Sequence, residues 1–224
     1  MTDRPDLRPA PIPVVSARRL GPVALPWWVR LLVLACCLIE VGMLAATYFG
    51  YPIARNAVFM LGAFWSAIMW QGSGLYPGQP LVMFATYGLL HAGLVHLAMN
   101  MISLVAVARE LNRMIGPARM ALIYLASQIA GAALFAVMQP HAGPMIGASG
   151  AVFGVAGALV VQTTLNLRRR GRSTAPLARA VAMLVGLNLA LTFLMPSIAW
   201  EAHLGGAATG AVLALAFTLI PRRT

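Results

Sequence analysis

Six long apolar runs, separated by short polar segments, dominate the hydrophobic pattern of the chain. They cover residues 27–48, 87–107, 118–138, 148–166, 177–195 and 202–220. A helix needs about 20 mostly apolar residues to cross the hydrocarbon core of a membrane, so each run predicts a transmembrane helix. A seventh run at residues 57–70 is shorter, and its length favours a re-entrant or interfacial segment over a span.

The arginines give the predicted spans an orientation, because positive charge near the ends of a span stays on the cytoplasmic side. With six spans and both termini in the cytoplasm, every arginine except Arg55 falls on that side. If residues 57–70 crossed the membrane as well, the arginines at 109–119 and 222–223 would change sides and the bias would be lost. The pattern therefore predicts a long first external loop at residues 49–86, part of it in the membrane interface.

Composition supports this class of protein, because 60% of the 224 residues are hydrophobic and only 9% are charged. A soluble domain carries about 25% charged residues. We predict a disordered cytoplasmic tail at residues 1–25, which are rich in proline and arginine, followed by one membrane domain at residues 26–221. The tail has neither the apolar core of a signal peptide nor the amphipathic character of an organelle-targeting segment, so we expect a multi-pass protein of the bacterial plasma membrane.

The net charge of +11 follows from this topology and does not indicate a nucleic-acid partner. The two cysteines, Cys36 and Cys37, are adjacent in an apolar run, which predicts packing residues and no disulfide. The spacing of the histidines and carboxylates matches no common zinc motif. We therefore predict neither a metal ion nor a cofactor.

Polar residues in the predicted spans gather at one depth. His91, His96 and Asn100 lie in the outer half of span 2, which enters from outside. Ser149 begins span 4 and His203 begins span 6 on the same side. Because polar groups inside a bilayer are costly, a cluster from three separate segments indicates function.

Each motif on its own also fits a purely structural interpretation. His96 and Asn100 share one helix face, so they could serve as hydrogen-bonding groups between helices. His203 could bind water at the membrane interface. The glycines after Ser149 have the three- and four-residue spacing of a tightly packed helix seam: Gly150, Gly154 and Gly157.

Taken together, the motifs favour acyl-transfer chemistry. Gly143 and Pro144 break the chain just before Ser149, which puts this serine at a helix start, where unpaired backbone N–H groups can stabilise an oxyanion. His203 is suited to act as the general base for that hydroxyl. Glu201 is only two residues before His203 and would point away from it on a helix. The residues therefore predict a Ser149–His203 dyad without an acidic third member.

These motifs resemble those of the rhomboid family of intramembrane serine proteases, over about residues 76–215. "HAGLVHLAMN" at 91–100 resembles the family's H-x4-H-x3-N, "GASG" at 147–150 its G-x-S-G, and "AHLGGAATG" at 202–210 its A-H-x2-G-x3-G. "GQ" at 78–79 opens the match. The resemblance implies an all-α membrane protein, with a six-transmembrane-helix rhomboid-like bundle and a long membrane-associated first external loop.

The resemblance also implies a role for each candidate residue. Ser149 would be the nucleophile and His203 the general base, while the oxyanion hole would be lined by the backbone N–H of Ser149 and the side chains of His96 and Asn100. Supporting residues would shape the turn at the serine, hold the histidine or let spans 4 and 6 pack closely: His91, Gly147, Gly150, Phe153 and Gly206.

The chain departs from the family pattern at two places. The family usually has a Trp-Arg pair soon after "GQ", where this chain has "PLVMF", and this leaves open how the first loop is braced. Phe153 stands where many bacterial members have a tyrosine, so the aromatic platform for the histidine is kept without its hydroxyl.

The predicted function is that of a serine-type intramembrane endopeptidase, which cleaves transmembrane segments of single-span or polytopic membrane proteins near the outer face of the lipid bilayer. The resemblance further implies that substrates would enter beside a mobile fifth span or the loop at 196–201. Two alternatives are a non-catalytic rhomboid-like protein that binds membrane clients and a small polytopic transporter. The presence of Ser149, His203 and Asn100 counts against the first alternative, and the apolar inner halves of the spans count against the second.

Overall fold

The computed structural model describes residues 24–194 and 198–219. Most of the predicted tail at 1–25, the last two residues of the predicted membrane domain and part of the predicted gate at 196–201 therefore lie outside the described residues. The described chain forms nine α-helices: α1 (Trp27–Tyr48), α2 (Ala54–Gly62), α3 (Ser66–Gln71), α4 (Gln79–Thr86), α5 (Leu94–Ile115), α6 (Pro117–Met138), α7 (Ser149–Arg169), α8 (Ala175–Leu194) and α9 (Trp200–Leu219).

Six of these helices are long and apolar enough to cross a membrane, namely α1, α5, α6, α7, α8 and α9. They confirm the predicted all-α fold class and make the chain a multi-pass membrane protein. Five of the six predicted spans agree with the observed helices to within three residues at each end. Successive spans run in alternating directions, so the segment 49–93 and the starts of α5, α7 and α9 share one end of the bundle. We call this end the loop face.

The predicted bounds of the second span are wrong. We predicted a helix over 87–107, whereas α5 runs from Leu94 to Ile115. A 3-10 helix occupies Tyr87–Leu89, and Gly93, with a φ of +100°, separates it from α5. The break lies within a mostly apolar run that continues into the helix, so hydropathy does not reveal it. His91 consequently precedes the helix instead of lying within it.

The segment 49–93, here called the first loop, contains the short helices α2, α3 and α4. The longest has nine residues and is about 14 Å long, less than half the thickness of the hydrocarbon core, so none of them can cross a membrane. The apolar run 57–70 is interrupted at Phe64, whose backbone forms an isolated antiparallel bridge with Met145. Both of its N–H···O distances are 2.9 Å. The bridge fastens the first loop to the segment that precedes α7.

Glycines set the distance between α7 and α9 at the centre of the bundle. A Cβ added at Gly206 would collide with the carbonyl oxygen of Gly150, and one at Gly210 would collide with that of Gly154. The backbones of the two helices are therefore in direct contact, as the small-residue seam predicted. This contact brings the start of α7 beside the start of α9.

α8 packs more loosely than the other spans. None of its residues is buried, whereas each of the other five spans buries residues inside the protein. Its half-buried positions form a narrow stripe on one face: Leu177, Val181, Asn188, Leu191 and Thr192. α8 therefore touches the bundle along a single line, and the remainder of its surface faces outward.

Candidate active site

The backbone around Ser149 is held in place from two sides. Ser149 is the first residue of α7, and the N–H of Gly147 donates to the carbonyl oxygen of Tyr87 at 2.9 Å. Gly147 has a φ of +115°, a left-handed conformation that favours glycine. The N–H groups of the first turn of a helix have no intrahelical acceptor. The start of α7 thus presents backbone donors next to the serine hydroxyl.

Ser149 and His203 are in hydrogen-bonding contact, although 54 residues separate them in the sequence. The distance between His203 Nε2 and Ser149 Oγ is 2.8 Å. The His203 ring is stacked on the ring of Phe153, with centroids 4.3 Å apart and planes inclined by 11°. Phe153 lies one turn after Ser149 on α7, so the same helix supplies the hydroxyl and the aromatic surface that orients the imidazole.

The sequence did not indicate a third residue that contacts the His203 ring, after Ser149 and Phe153. Asn188 of α8 lies against the other ring nitrogen: His203 Nδ1 is 3.3 Å from Asn188 Nδ2 and 3.5 Å from Asn188 Oδ1. Glu201 is buried and accepts a hydrogen bond from Gln139 Nε2 at 2.9 Å, so it is directed away from His203 as expected. A lone amide in a largely apolar span, six residues before its end at the loop face, was the signal that could have identified Asn188.

A backbone hydrogen bond determines which nitrogen of His96 carries a proton. The N–H of Ala92 donates to His96 Nδ1 at 3.2 Å, so Nδ1 is the acceptor. A neutral imidazole has one donor and one acceptor, which assigns its proton to Nε2. A Cβ built on Gly147 would lie 2.9 Å from His96 Nε2 and 3.9 Å from Ser149 Oγ. The Nε2–H donor of His96 and the Ser149 hydroxyl therefore border the same small space beside Gly147.

Asn100 lies one turn further along α5, on the same face as His96. Its Nδ2 donates to the carbonyl oxygen of His96 at 3.0 Å, and the residue is 6% exposed. Its buried Oδ1 has no hydrogen-bond partner among the described residues. An amide Nδ2 carries two hydrogens, so one of them is left for a further acceptor.

His91 belongs to the turn before α5 and is fully buried. Its ring contacts the His96 ring edge-to-face, with centroids 5.2 Å apart, and neither of its nitrogens has a hydrogen-bond partner among the described residues. Burial, with a smaller contribution from neighbouring His96, lowers the pKa of His91 to about 4. His91 is thus neutral at pH 7, and it supports the His96 ring by packing.

Arg55 of α2 and Glu40 of α1 form an ion pair that the sequence pattern did not indicate. Arg55 Nη2 is 2.7 Å from Glu40 Oε1, and Arg55 Nη1 donates to Glu40 Oε2 at 3.3 Å. The same Nη1 donates to the carbonyl oxygen of His91 at 3.0 Å. The pair therefore connects α1 and α2 to the turn that carries Ala92, whose N–H bonds to His96.

Gln79, from the "GQ" dipeptide, braces the first loop from within. It is fully buried, its Oε1 accepts from the N–H of Leu75 at 2.7 Å, and its Nε2 donates to the carbonyl oxygen of Met60 at 2.8 Å. Together with the bonds of Arg55, these contacts link the segments of the first loop in a chain that lacks the Trp-Arg pair.

Replacing Glu40 with glutamine is expected to lower the stability of the protein by about 1–3 kcal/mol, because Arg55 loses a buried, charge-assisted partner. The measurement is the thermal unfolding midpoint in detergent. Glu110→Gln is the matched control, since Glu110 and Arg113 form an exposed pair at 3.5 Å that contributes little. Equal midpoints for the two variants would contradict this account of Glu40.

The arrangement provides the groups that acyl transfer requires: a hydroxyl, a base in contact with it and donors beside it. Ser149, His203, His96, Asn100 and Gly147 lie together at the loop face, as the depth of their segments predicted. Over residues 24–194 and 198–219, no group of three His, Cys, Asp or Glu side chains is placed to hold a metal ion.

Several known proteins are similar to part of this chain. RHOMBOID-like protein 1 of Arabidopsis thaliana is 34% identical over 133 residues, which cover 59% of this chain and 33% of that protein. Rhomboid protease GluP of Bacillus subtilis (strain 168) is 35% identical over 130 residues, 58% of this chain and 25% of that protein. RHOMBOID-like protein 2 of Arabidopsis thaliana is 36% identical over 133 residues, 59% of this chain and 40% of that protein. The chain thus matches between a quarter and two fifths of the length of these relatives.

The family model described as the Rhomboid domain matches residues 78–220. That range is more than half of the 224 residues, and it includes α5 to α9 with Ser149, His203, His96, Asn100 and Asn188. The chain belongs to the rhomboid family.

Proposed function

We propose that the chain is an intramembrane serine endopeptidase that uses Ser149 as its nucleophile and His203 as its general base. The observation that carries this proposal is the 2.8 Å contact between Ser149 Oγ and His203 Nε2, at the start of two membrane-spanning helices. Membership of the rhomboid family supports it, and one relative at 35% identity is named a rhomboid protease.

Acylation begins when the Ser149 hydroxyl attacks the carbonyl carbon of the scissile peptide bond. His203 Nε2 takes the hydroxyl proton as the Oγ–C bond forms. The negative charge that develops on the carbonyl oxygen is stabilised by the backbone N–H groups at the start of α7, the Nε2–H of His96 and the second amide hydrogen of Asn100. The C–N bond then breaks, and His203 gives its proton to the leaving amine.

Deacylation repeats these steps with water as the nucleophile. His203 removes a proton from the water, which attacks the acyl carbon, and the proton is returned to Ser149 Oγ as the acyl group leaves. The stacking of His203 on Phe153, with centroids 4.3 Å apart, keeps the imidazole in one orientation through both stages.

The substrates are transmembrane segments of single-span or polytopic membrane proteins. Backbone in a membrane-spanning helix is fully hydrogen-bonded, so the substrate helix has to unwind locally before its peptide bond can reach Ser149. We assign the loop face to the external side of the plasma membrane, because this orientation leaves Arg55 as the only external arginine. The cut is therefore near the outer end of the substrate helix. The loose packing of α8 makes the gap beside α8 the route of entry.

The proposal is tested with the purified protein in proteoliposomes that contain a single-span reporter. We expect cleavage, and we expect a fluorophosphonate to stop it by forming one adduct, which peptide mapping locates on Ser149. The His203→Ala variant should form this adduct much more slowly. Reporter binding without cleavage would instead support the non-catalytic alternative, while solute flux without cleavage would support a transporter.

Replacing Asn100 with alanine is expected to lower kcat by about 100-fold or more, the usual effect of losing one oxyanion donor. KM should change little, because the donor acts on charge that develops only in the transition state. The measurement is the initial rate of reporter cleavage over a range of reporter concentrations.

Asn112→Ala is the matched control for Asn100→Ala. Asn112 lies on the same helix about 18 Å away, and its Oδ1 also lacks a partner among the described residues. We expect it to keep the wild-type kcat. The assignment of Asn100 as an oxyanion donor is wrong if the two variants have the same kcat.

A further inference from the structure

α8 contributes one polar side chain to the site, Asn188, which lies on the side of the His203 ring away from Ser149. The Asn188 amide lies on Nδ1 of His203, while Ser149 Oγ lies on Nε2. The two contacts thus involve opposite edges of one imidazole. Asn188 is half-buried, on the narrow stripe of α8 that faces the bundle. An amide inside a membrane span is costly unless it bonds to a partner, and the partner here is His203.

The chemistry of the dyad determines the direction of this hydrogen bond. For Nε2 to accept the Ser149 proton, neutral His203 must carry its own proton on Nδ1. Nδ1–H is then a donor, and the only acceptor of the amide is Oδ1. Both amide atoms are within 3.5 Å of Nδ1, so a small rotation of the amide is enough to align Oδ1 with this N–H.

We propose that Asn188 is a positioning residue for His203: its Oδ1 accepts the Nδ1–H bond, which fixes the reactive tautomer and stabilises the imidazolium formed after Ser149 is deprotonated. The arrangement is then a Ser149–His203–Asn188 triad, with its third member supplied by α8. This inference rests on the proposed protease function of Ser149 and His203.

The position of Asn188 on the loosest span adds a consequence. α8 buries no residue, so its place relative to α9 can change more easily than that of α6 or α7. Whenever α8 moves away from α9, His203 loses its Nδ1 acceptor. His203 is therefore fully oriented only while α8 is docked, and the rate of the chemical step depends on the position of that helix.

Other groups near His203 do not offer an equivalent acceptor. Glu201 is bonded to Gln139, His96 Nδ1 already accepts from Ala92, and Phe153 provides only its ring face. Ser149 is on the opposite edge of the imidazole. Among the described residues, Asn188 is thus the group whose removal should affect Nδ1.

The test compares three variants of the reconstituted protein by kcat and KM for reporter cleavage. Asn188→Leu keeps the side-chain size and removes the acceptor. We expect kcat to fall about 10- to 100-fold with KM unchanged, which is part of the about 10²- to 10⁴-fold that a positioned general base contributes. Asn188→Asp keeps an acceptor and should recover at least a tenth of the wild-type kcat. Thr192→Val is the control, since Thr192 lies one turn away and donates only to the carbonyl oxygen of Asn188. It should behave as wild type.

Several results would overturn the role of Asn188 while leaving the protease proposal intact. In each of them the wild type cleaves the reporter. The role is wrong if Asn188→Leu has the wild-type kcat, or if Asn188→Asp loses as much kcat as Asn188→Leu. It is also wrong if the control Thr192→Val loses as much kcat as Asn188→Leu. If Asn188→Leu does not fold, as judged by its unfolding midpoint, Asn188→Ala replaces it with the same expectation. An inactive wild type, by contrast, would refute the proposed function itself.

Discussion

Replacing Ser149 with alanine is expected to reduce the rate of reporter cleavage by at least about 10⁴-fold, the largest effect of any single change considered for this protein. The reason is that the proposed reaction passes through a bond to Ser149 Oγ, and no other hydroxyl is in contact with His203 Nε2 in the described structure. Replacing His203 with alanine should cost about as much. The double variant should lose little more than either single variant, because the two groups act as a unit. Initial rates in proteoliposomes measure all three.

Ser127→Ala is the matched control for Ser149→Ala. Ser127 lies on α6 and is fully buried in the bundle, whereas Ser149 is half-buried, and the Ser127 hydroxyl has no hydrogen-bond partner among the described residues. Its removal should leave the cleavage rate within about twofold of the wild type, since surrounding contacts change little. A rate loss in Ser127→Ala as large as that in Ser149→Ala would show that the effect reflects general damage to the fold and not the loss of a nucleophile.

Replacing Gly206 with alanine is expected to have the second largest effect. The added Cβ would collide with the carbonyl oxygen of Gly150, one residue after Ser149. A backbone carbonyl has no alternative rotamer that would remove the collision, so α7 and α9 must move apart. Because Ser149 lies on α7 and His203 on α9, the distance between them increases as well. A displacement of about 1 Å is enough to lower the cleavage rate by about 100-fold. Overpacking should also lower stability by about 1–3 kcal/mol.

Gly186→Ala makes the same change without the collision. Gly186 lies on α8, and nothing is found within 4 Å of a Cβ added there. Both variants are assayed for cleavage and for their unfolding midpoint in the same detergent. We expect Gly186→Ala to match the wild type or exceed its midpoint, because alanine is the better helix former. Wild-type activity and stability in Gly206→Ala would contradict the view that this seam holds the dyad together.

Much of the fold was predictable because the membrane makes hydropathy decisive. A span has to be apolar along its whole length, and the arginines then give each span a direction. Ser149 was correctly expected at a helix start, because Gly143 and Pro144 interrupt the chain just before a new apolar run. The seam of Gly206 and Gly150 was predictable for a similar reason, since only small residues let two backbones touch.

The start of α5 was not predictable from hydropathy, because the residues from Tyr87 to Gly93 are mostly apolar whether or not they are helical. The break depends on the left-handed conformation of Gly93 and on the bond from Gly147 N–H to the Tyr87 carbonyl. The second of these is a contact between segments that are distant in sequence. A periodicity argument considers one segment at a time and does not include such a contact.

The partners of Glu40 and His203 were missed for another physical reason. Depth along a membrane can be counted from the sequence at about 1.5 Å per residue, but depth does not tell which face of a helix meets which neighbour. Arg55 reaches Glu40 through the irregular first loop, and Asn188 reaches His203 from a helix with no strong amphipathic pattern. Only the packed arrangement of helices specifies these two contacts.

The central claim, that Ser149 hydrolyses a peptide bond within a membrane-spanning substrate, is tested most directly by intact-mass analysis of a single-span reporter after incubation with the reconstituted protein. The account predicts two fragments whose masses sum to that of the reporter plus one water, with the cut near the outer end of its transmembrane segment, and no fragments with Ser149→Ala. An intact reporter with the wild type, or the same two fragments with Ser149→Ala, would contradict it.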